Sequence, residues 1–293
     1  MVDYSTILVS LGCSSDNKIV LNTAQLIAEQ FFSHIYAVNV KPDPVINFPY
    51  YGEGVAATII PEMVSVTEKI GAEKSKTSKK AFNDFCQKNN IKVIDFEKDD
   101  FKNNSQITAS YAEKIGAEND ILADLAKIFH ITVSPCPREH KTNSALTNID
   151  AVLVDGGAIT IAVPDKKISS IGKRIAIAWN GGAASARALK NALPFLKKAE
   201  DTLLIVPEKA IDLKISLNEL LKSLEIDGIY PKVEEISENF ISASSCILEK
   251  AEKFNADLLV MGAYTNSSLR RLILGGITKN MLLNTKIPLF LCH

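Results

Sequence analysis

Cysteine is scarce in this chain and scattered. The five residues, Cys13, Cys86, Cys136, Cys246 and Cys292, include no CxxC pair. That spacing argues against a disulfide framework or a zinc site and points to a reducing compartment. No apolar run approaches the roughly 18 residues needed to span a bilayer. Neither sign of charge dominates, with 33 Lys plus Arg against 34 acidic residues, so no global field favours nucleic acid or an anionic membrane. Met1-Val-Asp-Tyr-Ser has no basic region followed by an apolar one, and a secretory signal is not expected. The four histidines (His34, His130, His140, His293) show no metal spacing, so structural roles are expected for all of them. Ser14-Ser15-Asp16 lacks the context of a nucleophile elbow, and no paired carboxylates or Walker lysine stand out. Cys136 lies between two prolines with no base beside it and reads as an inert thiol. These absences leave a cytoplasmic globular protein with no catalytic residue and no metal site expected.

What the chain does have is alternation. Thr6–Leu11 (TILVSL) is an apolar run of the kind found in strands covered on both faces. Val20 to Phe32 comes next with a helical stripe, and His34–Val40 (HIYAVNV) is a second buried strand. Strand, helix, strand with short links implies a parallel sheet. Lys41 to Gly54 is rich in Pro, Tyr and Gly and reads as an irregular loop. Pro61 to Asn89 reads as a long helix whose polar middle, Lys74 to Lys80, should be exposed. Ile91–Phe96 reads as strand, Ala109–Ile115 and Ile121–Phe129 as helical turns, and Ile131–Ser134 as strand. Ser144–Asp155 is a helix ended by Gly156-Gly157, and Ile159–Val163 is a strand.

Pro164 to Lys173 is polar and basic, a linker, after which the order starts again. Arg174–Trp179, Thr202–Val206, Lys232–Ile236, Leu258–Met261 and Pro288–Cys292 read as strands. Helices are expected at Ala184–Lys197, Leu217–Leu224 and Ile241–Phe254. Ile7 aligns with Ile175 at an offset of 168 residues, and Ile131 with Leu258 at 127. This is one βα plan used twice, with about 41 extra residues between strands two and three of the first copy. The expected fold class is therefore α/β, two doubly wound, five-stranded parallel-sheet domains in tandem. The domains span residues 1–165, with the insertion at about 41–89, and 172–293.

The stretch Leu258–Leu283 (LLVMGAYTNSSLRRLILGGITKNMLL) carries the chemistry. A strand stops at Gly262, a polar loop comes after it, and a helix with Ile277, Met281 and Leu282 on one face begins after Gly275-Gly276. Glycines let backbone N–H groups approach an anion, and a helix N-terminus adds its dipole. The stretch resembles the C-terminal signature of the universal stress protein family. In that family the fourth strand leads into a glycine, two residues, a second glycine, nine residues, a third glycine and a hydroxyl residue. Here Gly262 and Gly275 hold two of the four positions, Thr265 replaces the second glycine and Gly276 the hydroxyl residue. Ser268-Leu269-Arg270-Arg271-Leu272-Ile273-Leu274 is similar to the family too.

The resemblance covers nearly the whole chain and implies a tandem, Rossmann-like protein (adenine nucleotide alpha hydrolase-like) with a stress-response or regulatory role. It also implies ATP or another adenine nucleotide as the ligand, bound in the second half. The implied site is Ala178, Trp179, Asn180, Val206, Met261, Gly262, Ala263, Thr265, Gly275, Gly276, Ile277 and Thr278. Asn180 stands where the family has an aspartate that meets the ribose. An amide still hydrogen-bonds but lacks the charge-assisted contact. Thr265 adds a Cβ where a backbone turn favours glycine. The packing alternative is that these glycines only turn the chain and bring the helix close. Arg270 and Arg271 read either as phosphate contacts or as a solvated helix face. The first half shows no acid after strand one, and Ser134-Pro-Cys-Pro-Arg138 replaces glycines after strand four. Two prolines there remove N–H groups a phosphate would need. The alternatives to nucleotide binding are a nucleotide-free interaction scaffold and, third, an unidentified α/β enzyme. The resemblance further implies that the closing strands Ile159–Val163 and Pro288–Cys292 pair in a pseudo-dimer within the chain. A further homodimer is compatible with it.

Overall fold

The computed structural model describes residues 4–12, 14–43, 59–99, 106–138, 142–208, 216–236, 240–263 and 276–293. Contacts divide these into two compact units, Tyr4–Val133 and Ser134–His293.

In the N-terminal unit, β1 (Thr6–Leu11), α1 (Ser14–Phe31) and β2 (His34–Lys41) form the expected strand–helix–strand run, with β1 and β2 parallel and in register from Thr6↔His34 to Leu11↔Asn39. Their burial is nearly complete along both strands, as expected for apolar runs covered by helices. The long helix is present as α2 (Ile59–Lys88); residues 44–58 of the preceding loop lie outside the described part. Beyond α2, two expectations are corrected. Ile91–Phe96 contributes only a two-residue strand, β3 (Lys92–Val93). Ala109–Ile115 is not helical: Thr108–Ile115 is strand β4, parallel to β2 over eight register pairs. Ala, Glu and Lys favour helices on average, but pairing with a buried neighbour overrides that preference. After α3 (Glu118–Ala126), β5 (Ile131–Pro135) pairs with β1 on its other side. The strand order is β3-β4-β2-β1-β5.

The polar middle of α2 also departs from the expectation. Lys76, Lys79 and Lys80 are exposed, but Ser78 is fully buried and the Lys74 side chain is only 19% exposed.

In the C-terminal unit the elements are α4 (Thr142–Val154), β6 (Ile159–Val163), β7 (Arg174–Ala178), α5 (Ala183–Leu196), β8 (Asp201–Pro207), α6 (Leu217–Ile226), β9 (Lys232–Ile236), α7 (Phe240–Lys253), β10 (Leu258–Gly262), α8 (Gly276–Asn284) and β11 (Leu289–Cys292). Most boundaries fall within a residue or two of the expected ones. A capping box between Ser216 and Glu219 starts α6. Strand order is β6-β11-β10-β7-β8-β9, parallel except that β6 runs antiparallel to β11. Among the described residues the unit has six strands, the five expected within residues 172–293 and β6 from before them. The expected pairing of the closing strands is present, with Leu289↔Ala162, Phe290↔Ile161 and Leu291↔Thr160.

That pairing explains where the units divide. Leu146, Ile149 and Leu153 of α4 and Ala162 of β6 share one core with Ala176, Leu203, Leu259, Met281 and Leu289. So contacts assign residues 134–163 to the C-terminal unit, although the sequence repeat places them at the end of the first copy. On the opposite sheet face Phe195 of α5 meets Phe290 edge-on, ring centroids 6.1 Å apart. Helices thus cover both faces, as in doubly wound folds.

Candidate functional site

In the C-terminal unit the chain moves from β7 through β8 to β9 on one side, then returns to place β10 and β11 on the other. The order reverses between β7 and β10. Open parallel sheets hold ligands at the carboxyl edge of such a point. Here that edge brings together Ala178, which pairs with Ile205 and Met261, the neighbouring Trp179 and Val206, and Gly262. Trp179, Val206, Met261 and Ala263 are buried. Ala263 donates its N–H to Cys292 O at 2.7 Å, so that group is already used. Asn180 is exposed, and its Oδ1 accepts from Gly182 N at 3.0 Å. Gly181 between them sits at φ +72°, a conformation that suits glycine.

Two helices begin at this edge. Gly182 caps α5 with no side-chain hydrogen bond, and neither α5 nor α8 has an acid in its first turn. Free N–H groups at such starts attract anions. Of the α8 residues, Gly276 is exposed and Thr278 is buried beside Met281 and Leu282. Its burial turns Thr278 toward the core rather than toward the edge. Thr265 and Gly275, with Arg270 and Arg271, lie outside the described residues.

The two described glycines of the signature differ. A Cβ built on Gly262 would lie 2.5 Å from the Ala184 carbonyl carbon, 2.8 Å from the Ala184 Cβ, and closer still to Ser185 N. This glycine lets α5 approach β10. A Cβ on Gly276 would meet nothing within 4 Å, so packing does not require a glycine there. From the sequence alone, packing and anion approach were alternatives for both.

None of the described residues of this group carries a charge. The arrangement offers N–H dipoles, an amide and an apolar floor, which suits holding a ligand better than moving a proton. The buried free thiols Cys86, Cys136 and Cys292 are not reactive candidates. Burial pushes Cys86 up to about 11 and Cys292 up to about 12, and raises Cys136 further, so all three stay protonated at neutral pH. Among the described residues no cluster of His, Cys, Asp and Glu has the makings of a metal site, and no helix is long and apolar enough to cross a membrane.

Residues 172–293 match the family model described as the universal stress protein family. No curated protein matches the chain. Among solved structures, a universal stress protein from Archaeoglobus fulgidus DSM 4304 is similar over 98% of this chain and 95% of its own, at TM-score 0.62 and 16% identity. A putative universal stress protein from Pseudomonas aeruginosa UCBPP-PA14 is similar over 99% and 93%, at TM-score 0.56 and 15% identity. A functionally unknown protein from Pseudomonas aeruginosa PAO1 is similar over 99% and 92%, at TM-score 0.57 and 15% identity. At such identities the likeness speaks for the fold.

Proposed function

We propose that residues 172–293, which match the universal stress protein family model, bind ATP or a related adenine nucleotide at the carboxyl edge of β7, β8 and β10. The corresponding role is regulatory, in the stress response, and cytoplasmic. The observation that carries the reading is the convergence at one switch point of two helix starts with no acid in their first turns and an exposed Asn180. Phosphates suit the helix starts, and the apolar floor of Trp179, Val206 and Met261 suits a base. The N-terminal half, whose strands run β2-β1-β5 where the C-terminal unit has β8-β7-β10, is read as a second, degenerate copy of the domain.

A second reading has an observation behind it. Gly262 is explained by the approach of α5 alone, and Thr278 points inward. Two residues of the implied site are thus accounted for without a ligand, as in a nucleotide-free interaction scaffold.

Calorimetric titration of ATP, ADP and AMP separates the two. Wild type is expected to give binding heat for at least one nucleotide. Gly276→Val should abolish it with the fold intact, because the new side chain enters open space before the α8 N-terminus. In Asn180→Asp one carboxylate oxygen can keep the bond to Gly182 N while the other accepts from a ribose hydroxyl. That charge-assisted bond should tighten binding at least about tenfold. No heat from any nucleotide in wild type, and none gained in Asn180→Asp, would leave the scaffold reading standing.

A further inference from the structure

The carboxyl edge of the N-terminal unit is not empty. Lys74 of α2 lies across it. Its ammonium donates to Val40 O at 3.2 Å and to Glu118 Oε2 at 2.9 Å, and its stem passes close enough that a Cβ on Gly12 would sit 3.7 Å from Lys74 Cε. Glu118 Oε1 accepts in turn from Ser10 Oγ at 3.2 Å. The ends of β1 and β2 and the start of α3 thus converge on one cation. The nearby Gly12 N–H is already spent on Asn17 Oδ1 at 2.9 Å. The groups that meet the Lys74 ammonium are a carbonyl and a carboxylate, which repel an anion and suit an ammonium.

The helix carrying Lys74 is built in two parts. Its C-terminal half is anchored by Phe82, Phe85 and Cys86, all buried. Its N-terminal half shows no such anchor among residues with described side chains, and Val66 and Ile70 are 50% and 58% exposed. Polar contacts hold the junction between the two halves: Lys74 as above, and Ser75 Oγ to Glu113 Oε1 at 2.5 Å, with Lys41 paired to the same carboxylate. On the adjoining edge of β2 lies Asn39, fully buried. Neither end of its amide makes a sound hydrogen bond among the described residues, the Tyr111 hydroxyl being the group within electrostatic reach. A buried amide without firm partners is costly and marks a polar site beside the helix.

We propose that the carboxyl end of β1 and β2 is a binding site for a primary ammonium group, that Lys74 fills it, and that this self-occupation latches the N-terminal half of α2 over the edge. A free ligand of the same chemistry, a primary amine on a short alkyl stem, competes with Lys74 for Glu118 and the Val40 carbonyl. The latch is independent of nucleotide binding in residues 172–293, so the two readings stand or fall separately.

Hydrogen exchange on the full chain tests the latch. Lys74→Met keeps the stem and removes the ammonium. Exchange at residues 70–79 should rise at least about tenfold, the effect of losing one charge-assisted hydrogen bond, while residues 82–88 keep wild-type rates. Butylammonium chloride tests the site. It should raise the melting temperature of Lys74→Ala and slow exchange at residues 70–79, and should do neither in Lys74→Ala/Glu118→Gln. Tetramethylammonium chloride, the control salt, should do neither in Lys74→Ala. If Lys74→Ala does not fold, Glu118→Gln is read by the same exchange experiment and should also loosen residues 70–79. Wild-type exchange in Lys74→Met would overturn the latch. Equal stabilisation of wild type, single and double variants by butylammonium would overturn the ammonium site.

Discussion

Gly262→Ala should destabilise the C-terminal unit by about 3 kcal/mol, at the upper end of what forcing extra atoms into a packed interior costs. The added methyl would lie 2.5 Å from the Ala184 carbonyl carbon and still nearer Ser185 N. Both are backbone atoms, so no rotamer change relieves the clash. Relief requires α5 to move off β10, and α5 is fixed on the same face by Phe195 against Phe290 and by fully buried Ala188 and Ala192. Replacing Gly by Ala reduces unfolded-chain entropy, a gain of at most about 1 kcal/mol, too small to offset the overlap. For a unit of this size the expected drop in melting temperature is roughly 6–12 °C.

Gly276→Ala is the matched control. Its new Cβ meets nothing within 4 Å and it opens a helix, so stability should change by no more than about 0.5–1 kcal/mol, in the stabilising direction. Urea unfolding of both variants, followed by the single tryptophan, Trp179, reports on this edge directly. A Gly262→Ala protein as stable as wild type would mean that α5 does not rest on β10, and Gly262 would lose its structural explanation. If Gly276→Ala is stable as expected, a nucleotide-binding defect in any Gly276 variant reflects ligand approach and not unfolding.

This contrast marks what the sequence could and could not say. Apolar runs such as Thr6–Leu11 and Ile159–Val163 are buried on both faces, and their ends are legible to the residue. Thr108–Ile115 is half-exposed, and its Ala, Glu and Lys residues prefer helix locally. Only its eight-residue pairing with β2 decides the matter, and pairing is not written in the strand itself. The same holds for α2, whose Lys- and Ser-rich middle has the composition of a solvated face. Lys74 and Ser78 find partners just past β1, on β2 and on α3, 34 to 66 residues away. The candidate site was legible as a motif. Its glycines, however, could not be sorted into packing and approach until the distance between α5 and β10 was known.

Acid should destabilise the N-terminal unit through His34, and this is the second large effect. The ring is 4% exposed. Nδ1 shares a hydrogen bond with Thr108 Oγ1 and Nε2 one with Ser110 Oγ, both at 2.8 Å, and the Phe96 ring lies 5.3 Å away. The two hydroxyls serve either neutral tautomer, since each can donate or accept. They could also accept from a protonated ring, so it is lost solvation rather than a lost partner that disfavours the charge. Burial holds the pKa down at about 4, from 6.5. The folded value lies below the unfolded one, so between pH 6.5 and 4 the unfolded chain binds the extra proton. Stability is complete above pH 6.5 and falls as the pH drops toward 4, by a total of about 3 kcal/mol. Carboxylates with depressed values, such as Glu113 beside Lys41 and Asp201 beside Lys232, lose their contribution at lower pH, which separates the two effects. Urea unfolding of wild type at pH 7.5, 6.0 and 5.0 should therefore show a steady loss. His34→Gln, which keeps a donor and an acceptor for the two hydroxyls but cannot titrate, should be nearly flat over the same range while being less stable than wild type at pH 7.5. A wild type as flat as His34→Gln would show that the ring is solvated in the folded chain, against its burial between β2 and β4.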